Sequence, residues 1–238
     1  MLEATGVSHR FGALVVLDGV DFRVGAGEAV GIVGPNGAGK TTLFNILAGS
    51  FRPTRGAIHF GGIDVTRVPA HRRCRLGVAR AHQVPRPFTG MTVFENVLVG
   101  AYAGAGRRGR AAYARSIDVL ELCGLAEIAN RRAGSLGLLH RKRLELARSL
   151  ATEPTVLLLD EIGAGLTDAE ATELIEEVRR IRRQGIAIVW IEHIVHVLVQ
   201  AVDRLVAFDS GRVIADGQPD AVMGNPAVID AYLGGARV

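Results

Sequence analysis

The stretch "GPNGAGKT", residues 34–41, decides how the rest of the chain is read. Before it stands "EAVGIV" (28–33), apolar enough for a buried strand. After it comes "TTLFNILAG" (41–49), a helical pattern that stops at Gly49. Strand, glycine-rich turn, Lys-Thr and helix, in that order, form the context a phosphate-binding loop requires. Glycines let the backbone wrap an anion so that successive N–H groups converge on it, and the helix N-terminus adds partial positive charge. Lys40 is placed to neutralise outer phosphates, and the Thr41 hydroxyl to ligate Mg2+. The phosphate-binding set expected from this loop is Gly34, Pro35, Asn36, Gly37, Ala38, Gly39, Lys40, Thr41 and Thr42.

Working outward, "VLLLDE" (156–161) supplies acids to match the loop. Asp160 ends an apolar strand, where it can hold Mg2+ through water, and Glu161 follows, placed to orient or deprotonate an attacking water. Further strand patterns, "TVLLLD" (155–160), "IAIVWI" (186–191) and "RLVAFD" (204–209), are separated by helical ones. Of these helices, the segment from about 168 to 183 sets Ala171, Leu174, Ile175 and Val178 at a 3.6-residue period. Alternating strands and helices predict an α/β fold with a mainly parallel sheet covered on both faces. "GAIHFGGIDV" (56–65) predicts a hairpin turning at Gly61-Gly62, and "SGRVIADG" (210–217) a second small hairpin. Residues 84–150 read as mostly helical, with a capping box at Thr92 and Glu95, a helix over about 111–123 and another begun by "RKRLELARSL" (141–150). "PAVIDAYL" (226–233) reads as a terminal helix.

The composition is that of a globular chain: 238 residues, 48% hydrophobic and 22% charged. A net charge of +4 permits an anionic ligand or a membrane surface without demanding either. Short arginine clusters at 72–75, 107–110, 141–143 and 179–183 read as solvated helix faces rather than a nucleic-acid stripe. Two cysteines, Cys74 and Cys123, have neither metal spacing nor a disulfide framework, so a reducing compartment is the simplest inference. The start "MLEATGVSHRFG" shows no signal peptide, and no apolar run approaches the roughly 20 residues of a membrane helix. The chain reads as soluble or peripheral.

The ordered set "GPNGAGKTTLFNILAG", "MTVFENVLVG", "RKRLELARSL", "DEIGAGL", "IEHIVHVL" and "NPAVIDAYLG" resembles the ATP-binding subunits of ATP-binding-cassette (ABC) transporters, from about Val7 to Gly235. Within that superfamily it is most similar to the ATPases of bacterial branched-chain amino acid importers. The resemblance implies a P-loop NTPase of ABC type: a mainly parallel sheet core, an N-terminal antiparallel β part and a helical insertion. It implies one ATP-binding domain over 1–238, with a helical subdomain at about 84–150 and a small C-terminal helix at about 226–233. ATP and Mg2+ are the implied cofactors. Phe11 falls where such proteins stack an aromatic ring on adenine, and Gln83 matches the glutamine that senses Mg2+ and the attacking water. His193 matches the switch histidine at the γ-phosphate. A metal site from Glu192, His193 and His196 lacks a matching third ligand.

Two positions depart from the family pattern. A Leu-Ser-Gly-Gly-Gln-like signature, which caps ATP held by a second subunit, should precede the "RKRLELARSL" helix. Leu136, Gly137, Leu138, Leu139 and His140 stand there instead, so the hydroxyl and the glycine freedom are gone while the helix dipole remains. Ser135 supplies a hydroxyl only if the register slips. Thr167 stands where transporters often place Asp; with Glu170 it forms a capping box, and a dimer contact stays open. The resemblance further implies transmembrane permease subunits, gripped through the helical insertion and "VPRPF" (84–88). A second ATPase subunit and, indirectly, a periplasmic solute-binding protein complete the implied partners. The implied place is peripheral, on the cytoplasmic face of the inner (plasma) membrane, and no nucleic acid is expected. An ABC-type ATPase acting on nucleic acid or ribosomes, a nucleotide-binding module without turnover and an export ATPase are the rival readings.

Overall fold

A computed structural model describes residues 1–192 and 195–234, and for residues 196, 197, 233 and 234 the backbone alone. In chain order the strands are β1 (Leu2–Phe11), β2 (Leu14–Val24), β3 (Ala29–Val33), β4 (Arg55–Phe60), β5 (Ile63–Asp64), β6 (Val78–Ala81), β7 (Val156–Asp160), β8 (Ala187–Ile191), β9 (Arg204–Asp209) and β10 (Arg212–Gly217). The helices are α1 (Lys40–Ala48), α2 (Ala70–Leu76), α3 (Val93–Ala103), α4 (Gly109–Leu122), α5 (Leu138–Ala151), α6 (Asp168–Arg182), α7 (Val195–Val199), α8 (Pro219–Met223) and α9 (Pro226–Gly234). The chain divides into two compact units, Met1–Ala70 with Ala187–Val238, and His71–Ile186.

In the first unit an antiparallel sheet runs in the order β2-β1-β4-β5. Alternation gives it one apolar face, with Leu2, Ala4 and Val7 of β1 and Leu17, Val20, Phe22 and Val24 of β2 buried. The hairpin expected over 56–65 is β4–β5, turned at Gly61-Gly62. β3 lies parallel to both β8 and β9, with Ile32 opposite Ile191 on one side and Val33 opposite Ala207 on the other. All five β3 residues are buried, which is why "AVGIV" is a continuous apolar run and not an alternating one. Residues 210–217 are not a hairpin of their own. Ser210 and Gly211, both at positive φ, turn β9 back into β10, and the two strands pair antiparallel.

In the second unit β6 and β7 pair in parallel, Val78 to Val156 and Ala81 to Leu159. The helical stretch resolves into α3, α4 and α5 with two short 3-10 turns, Ala126–Ile128 and Ala133–Ser135, between the last two. Both capping boxes form: Thr92 accepts from the Glu95 N–H while Glu95 accepts from the Thr92 N–H, and Thr167 and Glu170 do the same. Thr167 is the N-cap of α6, which begins at Asp168, so the capping box expected of Thr167 and Glu170 forms where the sequence places it.

A cluster of arginines and glutamates around the buried Glu177 links α5 to α6 in this unit. Arg143 on α5 reaches Glu177 on α6 at 2.6 Å and Glu173 at 2.9 Å. Burial pushes the Glu177 carboxyl up to about 7, against the opposing charges of Arg143 and Arg180. A carboxyl that holds its proton more tightly folded than unfolded stabilises the fold when protonated. That contribution is complete below its ordinary value of 4.5 and is lost as pH rises through about 7. Urea denaturation across this window should show a decline on the order of 2–3 kcal/mol from this group. Glu177→Gln should flatten the slope.

Candidate functional site

In the first unit the chain leaves β3 at Val33 and makes the 34–39 loop before entering α1. Gly34, Gly37 and Gly39 have φ of 144°, 82° and 102°. A Cβ on Gly34 would lie 2.1 Å from the Phe208 carbonyl oxygen, and one on Gly39 would lie 2.7 Å from Leu17 Cδ2 and 2.8 Å from the Val16 carbonyl oxygen. The backbone therefore admits only glycine there. Lys40 is buried, and its Nζ donates to the carbonyls of Gly34 at 2.6 Å and Pro35 at 2.9 Å. Among the described residues no side chain caps α1, and its first turn holds no acid. The Ala38 N–H closes a turn onto the Pro35 carbonyl, Asn36 is exposed, Thr41 is exposed and Thr42 half-buried. A helix start without a side-chain cap, a cradle closed to a Cβ at Gly34 and Gly39 and a lysine curled over it fit a chain of phosphates.

Phe11 ends β1 with 49% of its surface exposed. His9 meets it edge-on at 4.7 Å and Phe51 at 5.7 Å, while His9 and Phe51 stack at 5.7 Å. This is an exposed aromatic platform and not a core phenylalanine, the property a stacking residue needs.

In the second unit Asp160 closes β7, and Glu161 takes the left-handed conformation at φ 47°. That conformation costs a residue with a Cβ about 1–2 kcal/mol, so the turn is held by its surroundings. Gln83 Nε2 donates to Glu161 Oε2, which brings the two expected water-handling residues together. Two further residues, missed in the sequence, belong here. Arg80 on β6 pairs with the buried Asp160 carboxylate through Oδ2. Lys142 on α5, also buried, donates from Nζ to the carbonyls of Gln83 and Glu161, each at 3.4 Å. Within this unit Asp160, Glu161 and Gln83 carry hard oxygen donors of the kind that suits Mg2+. Among the described residues no cluster of three His, Cys, Asp or Glu side chains holds a metal by itself. His193 lies outside the described residues.

The signature segment is also in the second unit. Leu136 is buried and Leu138 exposed, with Leu139 and His140 between these extremes. Gly137 is the N-cap of α5 at φ −68°, ψ 172°, with no side-chain cap, and a Cβ there would meet nothing within 4 Å. Gly137 thus occupies the N-cap, a position at which serine, asparagine or aspartate would supply a side-chain acceptor. Ser135 lies in the preceding 3-10 turn, and its hydroxyl donates to the Arg132 carbonyl at 2.8 Å. A groove of about 340 Å³ opens in the same unit, lined among others by His82, Phe88, Val99, Glu145 and Arg148. Phe88 brings the end of the 84–88 loop to this groove, and the loop is fastened where Arg148 donates to the Arg86 carbonyl at 2.7 Å and covers the Phe88 ring. Burial pushes the Glu145 carboxyl up, but the His82 hydrogen bond and the Arg148 charge carry it below its ordinary value.

Residues 17–164 match the family described as ABC transporter, and residues 212–238 match one described as branched-chain amino acid ATP-binding cassette transporter. The chain is 39% identical to the high-affinity branched-chain amino acid transport ATP-binding protein BraF of Pseudomonas aeruginosa, over 99% of this chain and 98% of that protein. It is 38% identical to LivG of Escherichia coli, another high-affinity branched-chain amino acid transport ATP-binding protein, with the same coverage. Among solved structures, the ADP conformation of an ATP-binding cassette of an ABC transporter superposes with a TM-score of 0.90 at 28% identity, over 98% of both chains. A nucleotide-free ATP-binding cassette from an ABC transporter gives 0.88 at 28% identity, again over 98% of both.

The Arg80–Asp160 pair can be tested by stability alone. Arg80→Leu strands a buried carboxylate and should cost about 3–5 kcal/mol in chemical denaturation. Adding Asp160→Asn should return most of that loss.

Proposed function

Because this chain belongs to the ABC transporter family of ATP-binding subunits, whose members are ATPases, we propose that it powers an importer of branched-chain amino acids or related small solutes. The named activity of its full-length relatives supports the cargo class. The observation that carries the ATPase reading is the Gln83–Glu161 contact in a chain that also holds the Lys40 cradle. In this reading both units work as one ATP-binding domain. Phe11 stacks on adenine, the 34–42 loop binds the phosphates, and Lys40 neutralises their charge. By resemblance, Thr41, Asp160 and Gln83 would hold Mg2+, which would supply charge neutralisation at the phosphates. Glu161 accepts the proton of the attacking water while Gln83 fixes the carboxylate that receives it. His193 takes the γ-phosphate contact by resemblance.

The partner reading follows from Gly137. An N-cap without a hydroxyl leaves α5 its dipole and its backbone amides but no side-chain contact for ATP on a facing subunit. The chain therefore pairs with a second ATPase subunit whose own signature completes ATP on this cradle. Permease subunits dock at the groove beside the 84–88 loop, with a periplasmic solute-binding protein delivering cargo from the other side. No helix among the described residues is long and apolar enough to cross a membrane. By resemblance, this subunit works peripherally, at the cytoplasmic face of the inner membrane, through its permeases.

Steady-state hydrolysis by the purified chain should be slow and should rise when a second ATPase subunit with an intact signature is added. Glu161→Gln should lower that stimulated rate about 100-fold or more while nucleotide binding persists. Gly137→Ser, which has room for its Cβ, should raise the rate of the chain alone. Fast turnover by the unmodified chain alone would refute the asymmetric pairing.

A further inference from the structure

We propose that Tyr232, in α9, is a positioning residue for the phosphate loop: its hydroxyl oxygen holds the loop's first amide and couples docking of the C-terminal helix to nucleotide affinity. The proposal rests on the reading of residues 34–42 as a nucleotide site. The "NPAVIDAYLG" ending has no part in the ATP, magnesium or permease roles above, yet it reaches the cradle. The Gly34 N–H donates to Tyr232 Oη at 2.9 Å.

Gly34 is the residue on which the loop pivots. Its carbonyl accepts from Lys40 Nζ, its φ of 144° excludes other residues, and the Phe208 carbonyl oxygen closes the space a Cβ would need. A backbone N–H in so enclosed a place needs an acceptor. Tyr232 is that acceptor, and it comes from a residue 198 positions away in the chain. When Lys40 is recruited to a phosphate, the bond to Tyr232 keeps the Gly34 peptide in place.

The helix is built to deliver this hydroxyl. Asn225 Oδ1 accepts from the Ala227 N–H at 2.9 Å and the Asn225 carbonyl accepts from the Val228 and Ile229 N–H groups, which sets the start of α9. Val228 is buried, and Tyr232, one turn on at i+4, lies on the same face. Burial pushes the Tyr232 phenol up, so it stays neutral near pH 7. A phenylalanine would keep the ring but not the acceptor. By reciprocity, whatever the docked helix contributes to nucleotide binding, nucleotide contributes to helix docking.

Tyr232→Phe in the full chain tests this. Calorimetric titration with MgADP and with MgATP should give Kd values about three- to tenfold higher than wild type, the worth of one hydrogen bond. Hydrogen exchange at the Gly34 amide, followed by NMR without nucleotide, should accelerate. Wild-type affinities together with unchanged Gly34 exchange would overturn the proposal. If the wild-type chain binds neither nucleotide, the reading of the loop falls instead, and the Gly34 exchange rate still decides whether Tyr232 holds that amide.

Discussion

A loop that presents amides to an anion must turn its N–H groups inward, and this forces backbone angles that side chains forbid. Gly34 and Gly39 meet that demand at the two ends of the 34–39 turn, each pressed against neighbouring backbone or side-chain atoms. The rest of the first unit serves this geometry. β3 is clamped between β8 and β9, so the loop leaves a strand that cannot shift. α1 begins where the loop ends, and its N-terminus carries no competing side-chain cap. The Gly211 N–H bonds the Ala38 carbonyl, which ties the β9–β10 turn to the loop's last segment.

The second unit poses a different problem, that of keeping charge inside a protein. Asp160 and Glu161 are both buried. Asp160 has the Arg80 guanidinium, and Glu161 has the Gln83 amide. Lys142 adds a positive charge beside the backbone of Gln83 and Glu161. Because Lys142 lies on α5, the helix that begins at Gly137 also touches the chain's own Gln83–Glu161 pair. One helix thus carries both the end that faces a partner's nucleotide in the family and a support for this chain's own acid–amide pair. Asp160 is thus already neutralised by a guanidinium, a partner that any cation drawn to this carboxylate would have to share or displace.

Local chemistry was the readable part of the sequence. The glycine–lysine loop, the Thr92–Glu95 and Thr167–Glu170 boxes, the Gly61-Gly62 turn and the apolar strands all depend on residues within a few positions of one another. What escaped depends on distant partners. β6 is only "VARA", and its arginine reads as solvent-facing until Asp160, 80 positions on, is seen to neutralise it. Lys142 sits in a run of basic residues that looks like a solvated helix face, and only the carbonyls of Gln83 and Glu161 explain its burial. "SGRVIADG" has a strand's alternation, but alternation does not name a partner, and the partner is β9. "PAVIDAYL" reads as a terminal helix, but nothing in its pattern joins Tyr232 to the Gly34 amide, 198 positions away. The stretch 84–150 reads as a helical block from its own pattern, yet its helices belong to a unit that also includes β6, β7 and α6.

The central claim is that triphosphate is gripped by the 34–42 backbone under the Lys40 ammonium. Amide NMR spectra of the isotope-labelled chain, recorded while MgATP is added, test it most directly. The amides of Gly37, Gly39, Lys40 and Thr41 should move first and furthest, and Lys40→Ala should abolish or greatly weaken the response. If ATP binds with those four amides unmoved, or does not bind at all, the account is wrong.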